Sequence, residues 1–336
     1  MADALTNDIF KSLPIAELHC HLEATVDANE ARRLAARNSV DISAAFDANG
    51  AYKWRTFWEF LQVYDAVSEA IRTPEDYFEI TLRHYQRMAA KGMIYGEVIV
   101  SPAHAGRLGI SYAALIDAVA SAIEEAQAET GVVGRIIVTC VRHFGAEHAL
   151  SVAKMAHDQP HPCVTAFGMA GDEAYGATGD FRRAFEIAGD CGLGLTAHAG
   201  EILGPASMRE AISLLGISRI GHGVRAIEDA SLVAEIKDRG LTLEVCPTSN
   251  ISIGLYPSLA SHPLPRLVAA GLRVTLNSDD PAFFGADAAD EYERSAVIHG
   301  FGRRDLLKFT QTAIDAAFCD AETKARMKAT VRDAGI

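Results

Sequence analysis

The chain has 336 residues, of which 49% are hydrophobic and 22% are charged, and its formal net charge is -13 at pH 7. This length is within the range of one α/β barrel with insertions, so we expect residues 1–336 to form a single domain. A nucleic-acid-binding surface has to be basic, so the acidic balance excludes a nucleic-acid partner and suits an enzyme acting on a small neutral molecule.

The start of the chain has neither the basic nor the apolar region of a signal peptide, and no apolar run reaches the roughly 20 residues of a membrane span. The six cysteines are scattered without a C-x-x-C pair. Several fall in predicted strands, where cysteine behaves as a small buried hydrophobic residue. These features predict a reduced, cytoplasmic enzyme without a membrane partner.

Eight short apolar runs, rich in β-formers, alternate with helical patterns along the chain. Continuous apolar runs indicate strands that are buried on both faces, as in a parallel sheet. Eight such strands alternating with helices predict a (β/α)₈ TIM-type barrel. The predicted strands are residues 16–21, 95–100, 134–141, 164–169, 193–198, 219–222, 241–246 and 273–277.

Helical patterns occupy the segments between these strands. Residues 111–129 have the i, i+3, i+4 apolar spacing of a one-faced helix, and Gly131 is placed to end it. More than seventy residues separate the first two predicted strands, and they include the aromatic stretch 54–64. We therefore expect extra helices, inserted after the first strand, to cover the mouth of the barrel, with one or two aromatic side chains lining a pocket.

Polar, titratable residues lie at the C-terminal ends of four predicted strands, where barrels of this kind place their active sites. Chance would scatter such residues over both ends of the strands, so the joint pattern is informative although each histidine alone is not. They are His19 and His21 on the first strand, His198 and Glu201 after the fifth, His222 on the sixth, and Asp279 and Asp280 after the eighth.

Three of these histidines and one aspartate would offer three nitrogens and one oxygen to a metal ion. His19 and His21 project from the same face of their strand, so both can reach one ion. Such a set suits Zn²⁺ with an open position for water. The sequence therefore predicts one Zn²⁺ per chain.

The motifs at these strand ends resemble those of the adenosine deaminase family of the amidohydrolase superfamily. The similarity runs in order from about residue 14 to residue 285. It implies a zinc-dependent hydrolytic deaminase of a 6-aminopurine, and the absence of a bridging lysine from the fourth strand implies a mononuclear site. The motifs are His19-x-His21, Ala170-Gly-Asp-Glu173, His198-Ala-Gly-Glu201, Gly221-His222-Gly223, Glu244-Val-Cys-Pro-Thr-Ser-Asn250 and Ser278-Asp-Asp280-Pro.

The resemblance implies that the metal ligands are His19, His21, His198 and Asp279. Attack of water at purine C6 pushes electrons to N1, which needs an acid. The resemblance implies that this acid is Glu201. It follows the metal ligand His198 by three residues, so it can lie beside the metal without binding it.

The resemblance also implies the contacts of water and substrate. His222 and Asp280 match the residues that hold and deprotonate the attacking water, and Asp280 would also face N7. Gly171 matches a backbone donor to N3. At position 23, relatives that act on nucleosides have an aspartate that contacts the ribose, whereas this chain has Glu23. The next residue is Ala24, where most family members have glycine.

Three markers bear on whether the substrate carries a sugar. Glu23 is typical of adenine deaminases of this family, whereas Gly171-Asp-Glu173 and Ser101-Pro102 are typical of adenosine deaminases. Two of three favour the nucleoside, so we predict hydrolysis of adenosine or 2′-deoxyadenosine to the inosine product and ammonia. The alternatives are deamination of adenine or of a modified 6-aminopurine and, in a different class, a non-catalytic purine-binding protein, which the presence of Glu201 and Asp280 disfavours.

The remaining histidines fit no ligand spacing and are predicted to be surface or packing residues. Among them, His104 and His143 lie just past strand ends and are the best placed for contact with a substrate.

Overall fold

Eight parallel strands form one curled sheet in a computed structural model that describes residue 10 and residues 12–335. The strands neighbour one another in chain order, which confirms the predicted (β/α)₈ barrel, and each boundary lies within two residues of the predicted one. The strands are β1 Ile15–His21, β2 Met93–Val100, β3 Val133–Val141, β4 Val164–Ala170, β5 Gly194–Ala199, β6 Arg219–His222, β7 Thr242–Val245 and β8 Arg273–Leu276.

Helices pack around the barrel and connect its strands. None of the helices in the described part of the chain is both long and apolar enough to cross a membrane. The helices are α1 Ala28–Asn38, α2 Phe57–Ser68, α3 Pro74–Ala90, α4 Pro102–Arg107, α5 Tyr112–Thr130, α6 Ala146–Asp158, α7 Arg182–Asp190, α8 Pro205–Leu214, α9 Ala230–Asp238, α10 Pro247–Ser252, α11 Leu264–Ala269, α12 Pro281–Phe284, α13 Ala288–His299, α14 Arg303–Ala316 and α15 Ala321–Asp333.

Local sequence signals account for several of these boundaries. The hydroxyl of Ser111 caps α5, and Gly131 ends it with a left-handed backbone (φ 80°). Thr73 and Asp76 form a reciprocal capping box at the start of α3, where Pro74 occupies the first turn. Both arrangements satisfy backbone groups that the helix itself leaves unpaired.

Helices α1, α2 and α3 form the predicted insertion between β1 and β2. Helix α2 packs over the barrel mouth, where Phe60 contacts Phe283 and Phe284 with ring centroids 5.7 and 5.1 Å apart. Aromatic pairs at this separation add to the stability that burial alone provides. The insertion thus forms one wall of the cavity at the mouth.

The barrel closes where the segment after β8 meets the end of β1, and we call this junction the seam. The N–H of Asp279 donates to the carbonyl of His19 at 3.0 Å, and the N–H of His21 donates to the carbonyl of Asp279 at 2.8 Å. The N–H of Leu18 donates to the side chain of Asn277 at 2.9 Å. The seam places residues from the two ends of the chain side by side.

A buried cluster of ion-paired side chains lies inside the barrel around Arg219, the first residue of β6. Its Nη2 lies 2.7 Å from Glu97 Oε2 and its Nε lies 2.6 Å from Glu244 Oε1. All three side chains are fully buried. Glu97 also accepts hydrogen bonds from the Tyr95 hydroxyl (2.8 Å) and the Phe318 N–H (2.7 Å). We call Arg219, Glu97 and Glu244 the paired cluster.

Candidate active site

The barrel brings all four predicted metal ligands together at the C-terminal ends of its strands. One nitrogen from each of His19, His21 and His198 lies within 4.8 Å of the other two. Asp279 Oδ1 lies 3.3 Å from His19 Nε2 and 3.3 Å from His21 Nε2. Residues from β1, β5 and the seam therefore face one small volume.

Several polar atoms in this volume are buried without a hydrogen-bond partner. They include Nε2 of His19, Nε2 of His198 and Oδ1 of Asp279. Burying polar groups without partners is costly, and native proteins rarely do it without a reason. Since imidazole nitrogens and carboxylate oxygens are common metal ligands, these residues fit a single divalent ion.

The backbone is unusual at two of the predicted site residues. His222 (φ 59°) and Asp279 (φ 63°) both adopt the left-handed conformation, which is uncommon for residues other than glycine. Gly221 leaves room for the histidines, because a Cβ there would lie 2.9 Å from His198 and 3.0 Å from His19. Strained or tightly constrained backbone of this kind concentrates at functional sites.

Two buried side chains orient the predicted ligands. His19 Nδ1 lies 2.7 Å from Glu244 Oε2, so a proton on Nδ1 leaves the Nε2 lone pair facing the site. The hydroxyl of Ser249 donates to Asp279 Oδ2 at 2.6 Å, which leaves Oδ1 towards the histidines. The sequence alone indicated neither partner, although both lie in the motif 244–250.

A second set of hydrogen bonds orients His222. His262 Nε2 lies 3.2 Å from Asn250 Oδ1, and Asn250 Nδ2 lies 3.3 Å from His222 Nδ1. If the Asn250 amide donates to Nδ1, the ring proton of His222 is on Nε2. This Nε2 atom has no hydrogen-bond partner. Burial lowers the pKa of His222 to about 4, so the ring is neutral. Sequence spacing gave no reason to connect His262 with this site.

The two predicted proton-transfer carboxyls, Glu201 and Asp280, are both buried. Burial and the nearby charge of Asp279 raise the pKa of each of them well above its usual value. Glu201 Oε1 lies 3.5 Å from His222 Nδ1, and Asp280 Oδ1 makes no hydrogen bond. Both groups therefore hold a proton more readily than an exposed carboxyl does.

Glu173 clamps the loop that carries Glu201. Its carboxylate accepts hydrogen bonds of 2.6–3.1 Å from the four successive N–H groups of residues 200–203. It also accepts from the hydroxyl of Ser207. Charge-assisted bonds of this kind are stronger than neutral ones, so Glu173 fixes the backbone from which Glu201 projects. The sequence identified this residue only as part of a family motif.

One cavity joins the predicted substrate residues to the predicted ligands. Glu23, Gly171 and Asp280 all line it, as do His104 and His143, the two histidines singled out from the sequence. The wall formed by the insertion is apolar, with a few polar groups opposite, as is common in pockets for small molecules. Its aromatic lining residues are Phe57, Phe60, Tyr64 and Phe284.

The carboxylate of Glu23 is held inside this cavity. The hydroxyl of Tyr64 donates to Oε2 at 3.1 Å, while the Tyr77 hydroxyl and the Ser101 N–H lie 3.5 Å from Oε1. Glu23 is 1% exposed, so its charge is available only to a molecule within the cavity. Gly171 has a left-handed backbone (φ 94°), and its missing side chain leaves its peptide open to close approach.

The family model for adenosine deaminase matches residues 14–334. The chain belongs to the adenosine deaminase family. An adenine deaminase from Agrobacterium fabrum is 45% identical over 319 residues, which cover 95% of this chain and 98% of that protein. This family member is therefore a hydrolase that acts on C–N bonds, and its reaction is the hydrolytic deamination of a purine.

Solved structures of other amidohydrolases share the fold of this adenosine deaminase family member. The adenine deaminase from Arthrobacter aurescens has a TM-score of 0.89 and 28% identity, covering 95% of this chain and 98% of that one. An amidohydrolase from Burkholderia ambifaria, with bound Zn, has a TM-score of 0.88 and 26% identity, covering 98% of this chain and 92% of that one.

Proposed function

We propose that this protein is a zinc-dependent adenine deaminase, which converts adenine and water to hypoxanthine and ammonia. The observation that carries the proposal is the buried carboxylate of Glu23 in the substrate cavity. The adenine deaminases from Agrobacterium fabrum and Arthrobacter aurescens support it, because the first is 45% identical and the second has the same fold.

Glu23 distinguishes a free base from a nucleoside by charge and by size. The free base carries an N9–H, which can donate to a carboxylate, whereas a nucleoside has a ribose bonded to N9 and no proton there. The hydroxyls of Tyr64 and Tyr77 lie 3.1 and 3.5 Å from the Glu23 carboxylate, so it cannot swing away without leaving a buried charge unpaired. The cavity therefore favours a purine with an unsubstituted N9.

The comparisons favour adenine, the alternative substrate, over the adenosine predicted from the sequence. The contacts of the two markers that favoured adenosine are compatible with a free base. Glu173 binds the backbone of residues 200–203 and so serves the loop of Glu201, not a sugar. The N–H of Ser101 faces Glu23 itself. Neither marker requires a ribose.

We propose that one zinc ion binds to His19, His21, His198 and Asp279. Their unpartnered atoms and their short mutual distances support this set, and the Burkholderia ambifaria relative contains Zn. When bound, zinc supplies a Lewis acid that activates water at neutral pH.

The side chains around this centre divide the proton transfers among them. Asp280 accepts a proton from the attacking water, and its raised pKa makes it a better base near neutral pH. His222 donates from Nε2 to the same oxygen and holds it against C6. Glu201, whose raised pKa favours the protonated acid, gives its proton to N1. Asp280 then passes the proton it took from water to the 6-amino group, the C6–N bond breaks and ammonia leaves, and the remaining hydroxyl proton returns to Glu201 as the C6 carbonyl forms. The N–H of Gly171 donates to N3, and Glu23 accepts from N9–H.

Measuring kcat/KM for adenine and adenosine with the same purified enzyme tests the substrate. A site built to bind an N–H rejects an analogue that lacks it by large factors, so we expect adenine to be preferred by at least about 10³-fold. The Glu23→Gln variant should lose much of its activity towards adenine and keep its metal.

Glu125→Gln, on the exposed face of α5, is the matched control and should leave kcat/KM unchanged for both substrates. Equal activity on the two substrates, or a preference for adenosine, would show that Glu23 does not select the free base. Shortening the side chain with Glu23→Asp should reduce the preference for adenine, because it removes one methylene from the space that a ribose would need.

A further inference from the structure

A second group of possible metal ligands lies outside the substrate cavity. It consists of Glu17 and Cys20 on β1 and His84 on α3, whose ligand atoms all lie within 4.8 Å of one another. Cys20 Sγ and His84 Nε2 are 4.0 Å apart. All three side chains are buried, so this is not a chance grouping of exposed charges.

A separate surface cavity leads to this group. Glu17 and His84 line it, and Asp27, Asp287 and Asp290 contribute acidic groups to the same walls. Arg87 lines the cavity as well, and Lys91 pairs with Asp287 and Asp290. A small cation can therefore approach the group along these aspartates, whose charge Arg87 and Lys91 neutralise in part.

The three side chains offer the chemistry that zinc and its heavier relative cadmium prefer. A thiolate, an imidazole nitrogen and a carboxylate oxygen are common ligands of these ions. A neutral imidazole such as that of His84 offers a ring-nitrogen lone pair to a metal. The 4.0 Å between sulfur and nitrogen is compatible with both atoms binding one ion at about 2.1–2.3 Å.

We propose that Glu17, Cys20 and His84 form a second site for a thiophilic divalent cation, Zn²⁺ or Cd²⁺, and that its occupation inhibits the enzyme. On binding, the metal–sulfur bond replaces the S–H bond of Cys20, and the proton passes to solvent. The inhibition rests on the proposed function, whereas the binding does not.

The inhibition follows from what two of the ligands contact. Cys20 lies between His19 and His21 in the chain, so a pull on its sulfur moves the strand that carries both. Glu17 accepts hydrogen bonds from the N–H of Ser278 at 2.7 Å and from its hydroxyl at 2.6 Å. Ser278 directly precedes Asp279, so one ligand of the second site adjoins His19 and His21 in the chain and another hydrogen-bonds to the residue before Asp279.

Titrating the zinc-loaded enzyme with CdCl₂ tests the proposal. Bound metal is counted by elemental analysis after desalting, and a thiolate-to-metal charge-transfer band in the ultraviolet reports a Cd–S bond. We expect one further Cd²⁺ per chain, the appearance of the band and loss of adenine turnover, all with the same midpoint. His84→Ala should lose the further ion, the band and the inhibition, while keeping its catalytic zinc and its basal turnover.

His157→Ala, which removes an exposed histidine from α6, is the matched control and should behave like the unaltered enzyme. Cys20→Ser, similar in size, should abolish the band even if His84→Ala does not fold. Failure of the unaltered enzyme to bind a further ion, or equal binding by His84→Ala, overturns the site. Binding that leaves turnover unchanged overturns the inhibition. Because stoichiometry and the band need no substrate, they test the site even if adenine is not deaminated.

Discussion

The barrel interior holds two groups of buried charges that differ in how far they are paired. In the paired cluster, each charge of Arg219, Glu97 and Glu244 has an opposite charge within 2.7 Å. At the C-terminal strand ends, Nε2 of His19, Nε2 of His198 and Oδ1 of Asp279 are also buried, but Asp279 Oδ1 lies no closer than 3.3 Å to His19 or His21. Burial alone therefore does not mark function, whereas several buried imidazole nitrogens and a carboxylate oxygen that converge on one small volume do.

His19 belongs to both regions. Its Nδ1 contacts Glu244 of the paired cluster, and its Nε2 lies 3.3 Å from Oδ1 of Asp279. The cluster therefore both pairs buried charges in the barrel and orients one nitrogen of the proposed metal site. Substitutions at the C-terminal strand ends should change activity and metal content. Substitutions in the paired cluster should mainly change stability.

The largest expected effect comes from removing one of the proposed metal ligands at the C-terminal strand ends. His198→Ala should lose metal and activity together, because two histidines and one carboxylate bind zinc more weakly than the full set. Metal content is measured by elemental analysis beside turnover. Full activity after exhaustive chelation, or two tightly bound metals in the unaltered enzyme, would contradict the mononuclear site.

Glu201→Gln should separate catalysis from binding. The amide keeps the size and polarity of the side chain but has no transferable proton, so turnover should fall by roughly 10²–10⁴-fold. Zinc content and substrate affinity should change far less. Near-normal turnover in this variant would show that Glu201 is not the acid at N1.

Arg219→Met should affect stability rather than chemistry. It leaves the carboxylates of Glu97 and Glu244 buried without their counter-charge, which typically costs about 3–5 kcal/mol. Denaturant unfolding measures this loss. Arg183→Met, which breaks an exposed pair with Glu186, is the control and should change stability by less than about 0.5 kcal/mol. Similar losses in both variants would remove the distinction between the two kinds of pair.

Glu244→Gln should have the smallest effect and show whether the paired cluster reaches the metal. Loss of a partner that orients a histidine ligand typically weakens metal affinity by about 10–100-fold. Glu97→Gln also disturbs the pairing of Arg219 but does not contact His19, so it should alter stability and leave metal affinity unchanged. Equal metal affinities in the two variants would show that the Glu244–His19 contact does not orient the ligand.

Sequence reasoning succeeded where a signal is local and failed where it is spatial. Apolar runs predicted all eight strands, and position at strand ends predicted the residues that gather at the site, because a barrel puts the ends of its strands together. The clamp by Glu173 and the contact from His262 to Asn250 could not be predicted, since no spacing connects them to Glu201 or His222. The left-handed backbone at Asp279 also depends on the closed barrel.

The family resemblance identified the reaction, the hydrolytic deamination of a purine, whereas the choice of adenine over adenosine is a proposal that rests on Glu23. All three markers have a residue that lines the cavity, but only Glu23 places a carboxylate there, since the carboxylate of Glu173 binds a neighbouring loop and the N–H of Ser101 faces Glu23. Counting the markers gave them equal weight, although their side chains make different contacts. A marker therefore has to be weighed by where its side chain points, which only the structure shows.

The seam has a consequence for how the chain folds. The hydrogen bond from Leu18 to Asn277 spans 259 residues of sequence, and contacts between such distant segments form late, because closing a long loop is entropically costly. The predicted ligands on β1 meet Asp279 only across this seam, so no partly folded chain has a complete metal site. Metal uptake should therefore follow closure of the barrel and stabilise the closed form, with thermal stability rising as zinc is added.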